Sequence, residues 1–324
     1  MSAMPKGLLV RVAKRTDEAT DICSFELVAA GGEMLPAFSA GSHIDVAVAP
    51  GLARQYSLCN DPAETHRYQI AVLRKPDSRG GSAGLHERLQ VGHELHISAP
   101  RNHFPLAHGA KHSILLAGGI GVTPILCMAE RLAVAGASFD MHYCTRSPAR
   151  TAFHDRILGS SFVDRVSFHF SEPIEPSQKF DMQKCLASPQ PGTHVYVCGP
   201  QGFMQAVLDM ARSRGWPEDQ LHHEFFSADV SPLETDCAFQ VRLASSGRTV
   251  TVAKHESVVQ ALMKAGVEVL TSCEQGVCGT CITRVLEGAP DHRDQYLTPQ
   301  EQAANDQFTP CCSRSRSPML VLDL

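Results

Sequence analysis

The residues best suited to chemistry in this 324-residue chain lie in TSCEQGVCGTCITR, residues 271–284. Cys273, Cys278 and Cys281 are spaced C-x4-C-x2-C, and the next cysteines are the adjacent pair Cys311 and Cys312. Three thiols this close can form a disulfide clamp, a zinc knuckle, a haem tether or an iron–sulfur centre. A zinc ribbon wants a second C-x-x-C pair at a separate knuckle, and adjacent cysteines do not supply one. A c-type haem tether needs His directly after its second cysteine, where Ile282 stands. A disulfide belongs to an oxidising compartment. The first 30 residues carry charges every few positions and no apolar signal core, so no signal peptide is expected and the cytoplasm, with reduced thiols, is the expected compartment.

The spacing C-x4-C-x2-C followed by a distant cysteine is that of plant-type [2Fe–2S] centres, where each iron takes two protein sulfurs. Gly276 and Gly279 fit a loop that must wrap a cluster with unusual backbone angles. Cys311 is the expected fourth ligand on spacing, with Cys312 a packed neighbour; zinc is the remaining alternative. Cys23, Cys59, Cys127, Cys144, Cys185 and Cys237 are expected to be small buried hydrophobes.

A second group of candidates is rich in glycine. AGGIGVTPI, residues 117–125, follows a strand and opens a helix, with Thr123 suited to the N-cap and Pro124 to the first helical position. Such a turn offers backbone amides to a pyrophosphate; tight strand–helix packing is the other reading. VYVCGP, residues 195–200, ends a further strand in a glycine turn, and strand ends of this kind border the ligand crevice of an open α/β sheet. RQYSLCN (54–60) reads locally as an ordinary strand, and GGSAG (80–84) as a bare turn or a phosphate-holding one. Arg146 and Arg150 follow a strand, where they could meet an adenosine ribose or simply be exposed loop charges.

Three segments must position these groups. Up to about residue 107, the short strands LLVRVAKR, ICSFELVA, HIDVAVAP, RQYSLCN, YQIAVLRK and HELHISAP, with one helix SAGLHERL, predict an antiparallel β-barrel. Over 108–226 strand and helix alternate (HSILLAG, GIGVTPILCMAERLAVAG, FDMHYCTR, VSFHF, HVYVCGP, QGFMQAVLDMARSRG), which predicts a parallel α/β sheet. Residues 227–236 read as a linker. Residues 237–324 predict a compact α+β unit with a hairpin, the helix SVVQALMKAG, the cysteine loop and a final apolar strand. A hydrophobic fraction of 43% supports real cores. A net charge of −5 without basic runs argues against nucleic acid as partner, and no apolar stretch is long enough to span a membrane.

Taken in order, R-x-Y-S, the G-G-S turn, AGGIGVTP, Y-x-C-G-P, E-x-F and C-x4-C-x2-C…C resemble the phthalate dioxygenase reductase and vanillate demethylase reductase family of ferredoxin–NADP reductase-like flavoproteins, over nearly the whole chain. The resemblance implies an FMN-binding barrel, an NADH-binding domain and a C-terminal β-grasp ferredoxin domain. It implies that Arg54, Tyr56 and Ser57 contact the flavin, Ser57 near its N5 edge, and that Gly80, Gly81 and Ser82 hold the FMN phosphate. Gly119, Gly121, Thr123 and Pro124 would border the nicotinamide and pyrophosphate, and Arg146 the ribose. Cys198 and Gly199 would lie by the nicotinamide, and Phe226 beside the isoalloxazine with Glu224 accompanying it. FMN rather than FAD, and NADH rather than NADPH, follow from the resemblance alone.

The activity so implied is electron transfer from NADH through FMN to the cluster and on to a separate Rieske non-haem iron oxygenase, with phthalate dioxygenase the first expectation. A vanillate-type demethylating oxygenase, a cytochrome P450 or a nitric-oxide-detoxifying partner are the alternatives. No Cys-x-His occurs, so this chain itself carries no Rieske motif. A monomer is expected. Residues 237–324 hold 8 Lys+Arg and 9 Asp+Glu, so charge should steer docking weakly.

Overall fold

The computed structural model describes residues 7–49, 52–74, 81–172, 179–228 and 233–324; Gly80 and the linker residues 229–232 lie outside the described residues. The chain divides into two compact units, one ending at Glu224 and the other beginning at Phe225.

The first unit opens with β1 (Leu8–Ala19), β2 (Ile22–Ala29), β3 (Ser42–Ala49), β4 (Leu52–Ser57), β5 (Tyr68–Leu73), α1 (Gly81–Arg88), β6 (Glu94–Ile97) and β7 (Arg101–Asn102). The strands run β4-β3-β6-β1-β2-β5 with β7 on β3, and among the described residues every pairing is antiparallel. Alternation sets the inner face: Val10 and Val12 of β1 are fully buried among Phe25, Leu27, Ile44, Val46 and Ile70. β1 runs past its expected end because β2 pairs with it as far as Ala19, across two bulges. β4 stops at Ser57, short of the expected RQYSLCN, where the backbone turns and Cys59 N–H bonds to Gln69 O instead.

The same unit continues with β8 (His112–Gly118), α2 (Val122–Val134), β9 (Phe139–Thr145), α3 (His154–Leu158), β10 (Val166–Phe170), α4 (Met182–Cys185), β11 (Thr193–Cys198), α5 (Gln201–Ser213) and β12 (Leu221–Glu224). All pair in parallel, in the order β10-β9-β8-β11-β12. The order reverses between β8 and β11, which makes their carboxyl ends the topological switch point of the sheet. β12 has the polar sequence LHHE and gives no strand signal; it forms because β11 offers it a free edge. Barrel and α/β layers share one apolar cluster, in which Ile22, Cys59, Ala71 and Phe104 meet Leu115, Ile125, Tyr143 and Tyr196.

An ion pair reinforces that junction. Arg156 of α3 reaches Glu130 of α2 at 2.7 and 3.0 Å and donates to Gln69 Oε1 of β5 at 2.7 Å. Burial pushes the Glu130 carboxyl up, partly countered by Arg156. Arg156→Met is expected to destabilise the first unit by about 3 kcal/mol, because it strands a half-buried carboxylate. Calorimetry checks this, and an unchanged melting temperature would sink it.

The second unit contains β13 (Phe239–Leu243), β14 (Thr249–Val252), α6 (Val258–Lys264), β15 (Thr283–Glu287), β16 (Pro290–Asp291), α7 (Pro299–Ala304), β17 (Gln307–Phe308), β18 (Arg314–Ser315) and β19 (Met319–Leu322). The sheet order is β14-β13-β19-β15-β17; only β13 and β19 pair in parallel, and β16 pairs with β18 separately. α6 starts at a capping box between Ser257 and Gln260 and lays Val258, Ala261 and Leu262 against Val241, Val285 and Leu320. Leaving the linker, the chain is tied down by Arg293, which pairs with both Asp236 and Asp291. Cys237, expected to be buried, is exposed just after this tie, because Arg314 takes its carbonyl rather than its thiol. Among the described residues no helix is long and apolar enough to cross a membrane.

Candidate functional site

On β4 the R-x-Y-S motif is split by the strand's alternation. Arg54 and Tyr56 lie opposite Val46 and Ile44, on the barrel's inner-facing side, and Ser57 lies opposite His43 on the other. Burial pushes the Tyr56 hydroxyl well up, which keeps it neutral. Ser57, 5% exposed, donates its hydroxyl to Glu224 Oε2 at 3.0 Å, joining β4 to the end of β12. Burial raises the Glu224 carboxyl to about 7, against the pull of the Ser57 hydrogen bond. A carboxyl so placed can hold or release a proton near neutral pH. The sequence offered Glu224 only as a companion of Phe226; what brings it to Ser57 is the parallel pairing of β12, which has no local signal. Phe226 itself is 36% exposed and belongs to the second unit. Gly81 and Ser82 open α1.

The two glycine turns meet at the switch point. A Cβ on Gly121 would stand 2.2 Å from Cys198 O and 2.5 Å from Gly199 N, and one on Gly199 would stand 2.9 Å from Gly118 Cα. Gly121 and Gly199 are therefore required for packing of backbone on backbone. Gly119, at φ +51 with nothing within 4 Å of its missing Cβ, is the turn's open position. The expectation of Thr123 as N-cap is corrected: α2 begins at Val122, Gly121 is the cap, and no side chain caps the helix. Thr123 bonds back to Ile120 O at 3.1 Å because it already lies inside the first turn. The first amides of α2 therefore take no side-chain cap, as a pyrophosphate cradle requires. Cys198 is fully buried in the shared core with its thiol pushed well up by burial, and Glu224 is its neighbour on β12. Of the two arginines beyond β9, Arg150 pairs with Asp21 at 3.5 Å, while Arg146 is exposed.

In the second unit the cysteine loop has no regular structure, and Gly276 and Gly279 both take φ +70. Cys273 bonds to Cys278, which lowers the Cys278 thiol, and Cys311 bonds to both Cys281 and Cys312. A two-iron cluster needs two sulfurs for each iron. Cys312 also lies 3.2 Å from Thr309 Oγ1, with its sulfur 2.6 Å from where a Gly276 Cβ would be. Gln275 N–H donates to Cys273 Sγ at 3.3 Å, the kind of amide contact that tunes a ligating sulfur. Cys273, Cys278, Cys281 and Cys311 fit the donor set of such a cluster.

A 2Fe-2S iron-sulfur cluster binding domain model matches residues 241–316, which include all four cysteines. Vanillate O-demethylase oxidoreductase of Pseudomonas putida is 56% identical over 314 residues, 97% of this chain and 98% of that one. Phthalate dioxygenase reductase of Burkholderia cepacia is 41% identical over 318 residues, 98% of this chain and 97% of its own. A solved phthalate dioxygenase reductase, described as a modular structure for electron transfer from pyridine nucleotides to [2Fe–2S], superposes with a TM-score of 0.81 at 41% identity, covering 98% of each chain.

Proposed function

Since the chain belongs to the vanillate O-demethylase oxidoreductase and phthalate dioxygenase reductase family of oxygenase reductases, we propose that it draws electrons from NADH and supplies them to an oxygenase that O-demethylates an aromatic methyl ether of the vanillate type. The single observation behind the choice of oxygenase is the difference in identity, 56% to the vanillate O-demethylase oxidoreductase against 41% to the phthalate dioxygenase reductase. The sequence-based preference for phthalate dioxygenase thus becomes the second reading. Residues 1–107 would form the FMN barrel, 108–226 the NAD-binding domain, 227–236 the linker and 237–324 the cluster domain. The chain would act as a cytoplasmic monomer.

When bound, FMN would supply the link between two-electron donation by NADH and one-electron acceptance by the [2Fe–2S] cluster. The chain's own groups position and insulate. Arg54 and Tyr56 hold the flavin, and Gly80, Gly81 and Ser82 its phosphate. Ser57 keeps its hydroxyl hydrogen on Glu224, so that a proton can be held or released at Glu224 Oε2. Gly119, Thr123 and Pro124 present the turn to the pyrophosphate, and Gly121 and Gly199 draw the two strand ends together behind it. Arg146 is free to meet the ribose, and Cys198 keeps a small side chain beneath the nicotinamide. Cys273, Cys278, Cys281 and Cys311 would hold the [2Fe–2S] cluster.

The test is reconstitution of the purified protein with a vanillate-demethylating oxygenase and, separately, with phthalate dioxygenase, following NADH-dependent product formation. Faster turnover with the first is expected. Faster turnover with phthalate dioxygenase would restore the second reading, and a colourless protein that ignores NADH would remove both.

A further inference from the structure

The chain between Cys281 and Cys311 carries a buried carboxylate that the proposed chemistry leaves unused. The Asp294 side chain has no exposed surface. Its Oδ2 accepts the Leu297 N–H at 2.7 Å and the Tyr296 N–H at 3.2 Å, which closes residues 294–297 into a turn. A second contact reaches beyond the turn. Ser313, two residues past Cys311, donates its hydroxyl to Asp294 Oδ1 at 3.4 Å, and the Arg293 N–H bonds to the same Ser313 oxygen at 3.1 Å. Residues 294–297 in their turn lie on both glycines of the cysteine loop. Gln295 N–H donates to Gly276 O at 2.9 Å, and Asp294 Cα is 3.2 Å from where a Gly276 Cβ would be. A Cβ on Gly279 would fall on the Tyr296 ring, 2.5 Å from Cε1. Within the loop, Cys273 Sγ accepts the Gln275 N–H at 3.3 Å, and the Val277 amide also bonds to that sulfur. Val277 N–H and Gly276 O belong to one planar peptide, so Gln295, by fixing the oxygen, fixes the direction of that N–H.

We infer that Asp294 is a positioning residue for the cluster: one buried carboxylate holds the loop of Cys273, Cys278 and Cys281 in register with the chain that carries Cys311. The inference deepens the proposed function and rests on those four cysteines being the ligands. Asp294 acts through the amides of its own turn and through Ser313, and the turn acts on the loop through Gln295 and Tyr296. A buried acceptor with three donors aimed at it is costly to remove, because each donor is left without its partner. The consequence reaches the cluster's electronics. An N–H aimed at a ligating sulfur draws off negative charge and favours the reduced cluster, which is one unit more negative than the oxidised one. Loosening the turn releases Gly276 O, and the Val277 N–H with it, so the reduction potential should fall.

The experiment is a potentiometric titration of the cluster in the holoprotein, followed by electron paramagnetic resonance, in Asp294→Asn and Asp294→Ala. Both exchanges remove the carboxylate alike, but the asparagine oxygen can still accept the Tyr296 and Leu297 amides. The difference between their midpoints therefore reports the turn alone. Asp294→Ala is expected to lie below Asp294→Asn by about threefold in the one-electron reduction equilibrium, roughly 30 mV. Equal midpoints overturn the inference, and so does an alanine midpoint above the asparagine one. Should Asp294→Ala fail to hold a cluster, Ser313→Ala decides. Its midpoint should fall below the parent's by about half that step, and an unmoved or raised midpoint overturns the inference. Failure of the ligand assignment would show separately, as a parent protein without iron–sulfur colour.

Discussion

Cys281→Ser is expected to bleach the iron–sulfur absorption and to lower electron delivery to a one-electron protein acceptor by more than about a hundredfold. Loss of groups that merely support a metal ligand costs about 10–100-fold, and loss of the ligand itself should exceed that. Reduction of the flavin by NADH, which the proposed function assigns to the first unit, should persist. The thiol contacts make the experiment sharper, because Cys311 bonds to Cys281 as well as to Cys312, whereas Cys312 bonds to Cys311 and to Thr309. Cys311→Ser should therefore behave like Cys281→Ser, and Cys312→Ser should keep its colour. The reverse result for the two neighbours would move the fourth ligand to Cys312. Retention of the full spectrum in Cys281→Ser would refute the cluster assignment altogether.

Gly121→Ala should be the most damaging small change in the first unit. The added methyl would meet Cys198 O at 2.2 Å, Cys198 C at 2.4 Å and Gly199 N at 2.5 Å. These are backbone atoms of β11 and its turn, so the clash can be relieved only by parting β8 from β11 at the switch point. Overpacking costs about 1–3 kcal/mol where side chains can adjust, and about 3 kcal/mol is expected here. For a unit of this size that lowers the melting temperature by roughly 6–12 °C, with loss of NADH-dependent flavin reduction. Gly119→Ala is the companion variant. Its Cβ meets nothing within 4 Å, so only the left-handed backbone at φ +51 opposes it, at about 1 kcal/mol. If Gly119→Ala folds well yet binds NADH poorly, the turn's open position faces the nucleotide. If Gly121→Ala melts like the parent, the packing argument fails.

The amino-acid order was enough to reveal the three-part architecture and the candidate cluster ligands, because those signals are local. C-x4-C-x2-C sits in one loop. HSILLAG and VSFHF form strands over the residues their apolar, β-branched runs indicate, and GIGVTPILCMAERLAVAG turns and becomes helical as its glycines and apolar periodicity demand. In the sequence the choice between Cys311 and Cys312 rests on spacing alone, and folding adds a contact of Cys311 with Cys281 and of Cys312 with Cys311 and Thr309. Two features lay beyond any local reading. β12 is polar and short, and it exists only because β11 has an edge to pair with, so the Ser57–Glu224 contact across 167 positions could not be foreseen. Gly121 and Gly199 look like ligand-facing glycines in the sequence, and only the meeting of two strand ends shows them pressed backbone to backbone. Propensity and spacing act within a dozen residues, whereas these contacts are set by which strands pair and in what register, and that is settled by burying the whole core at once.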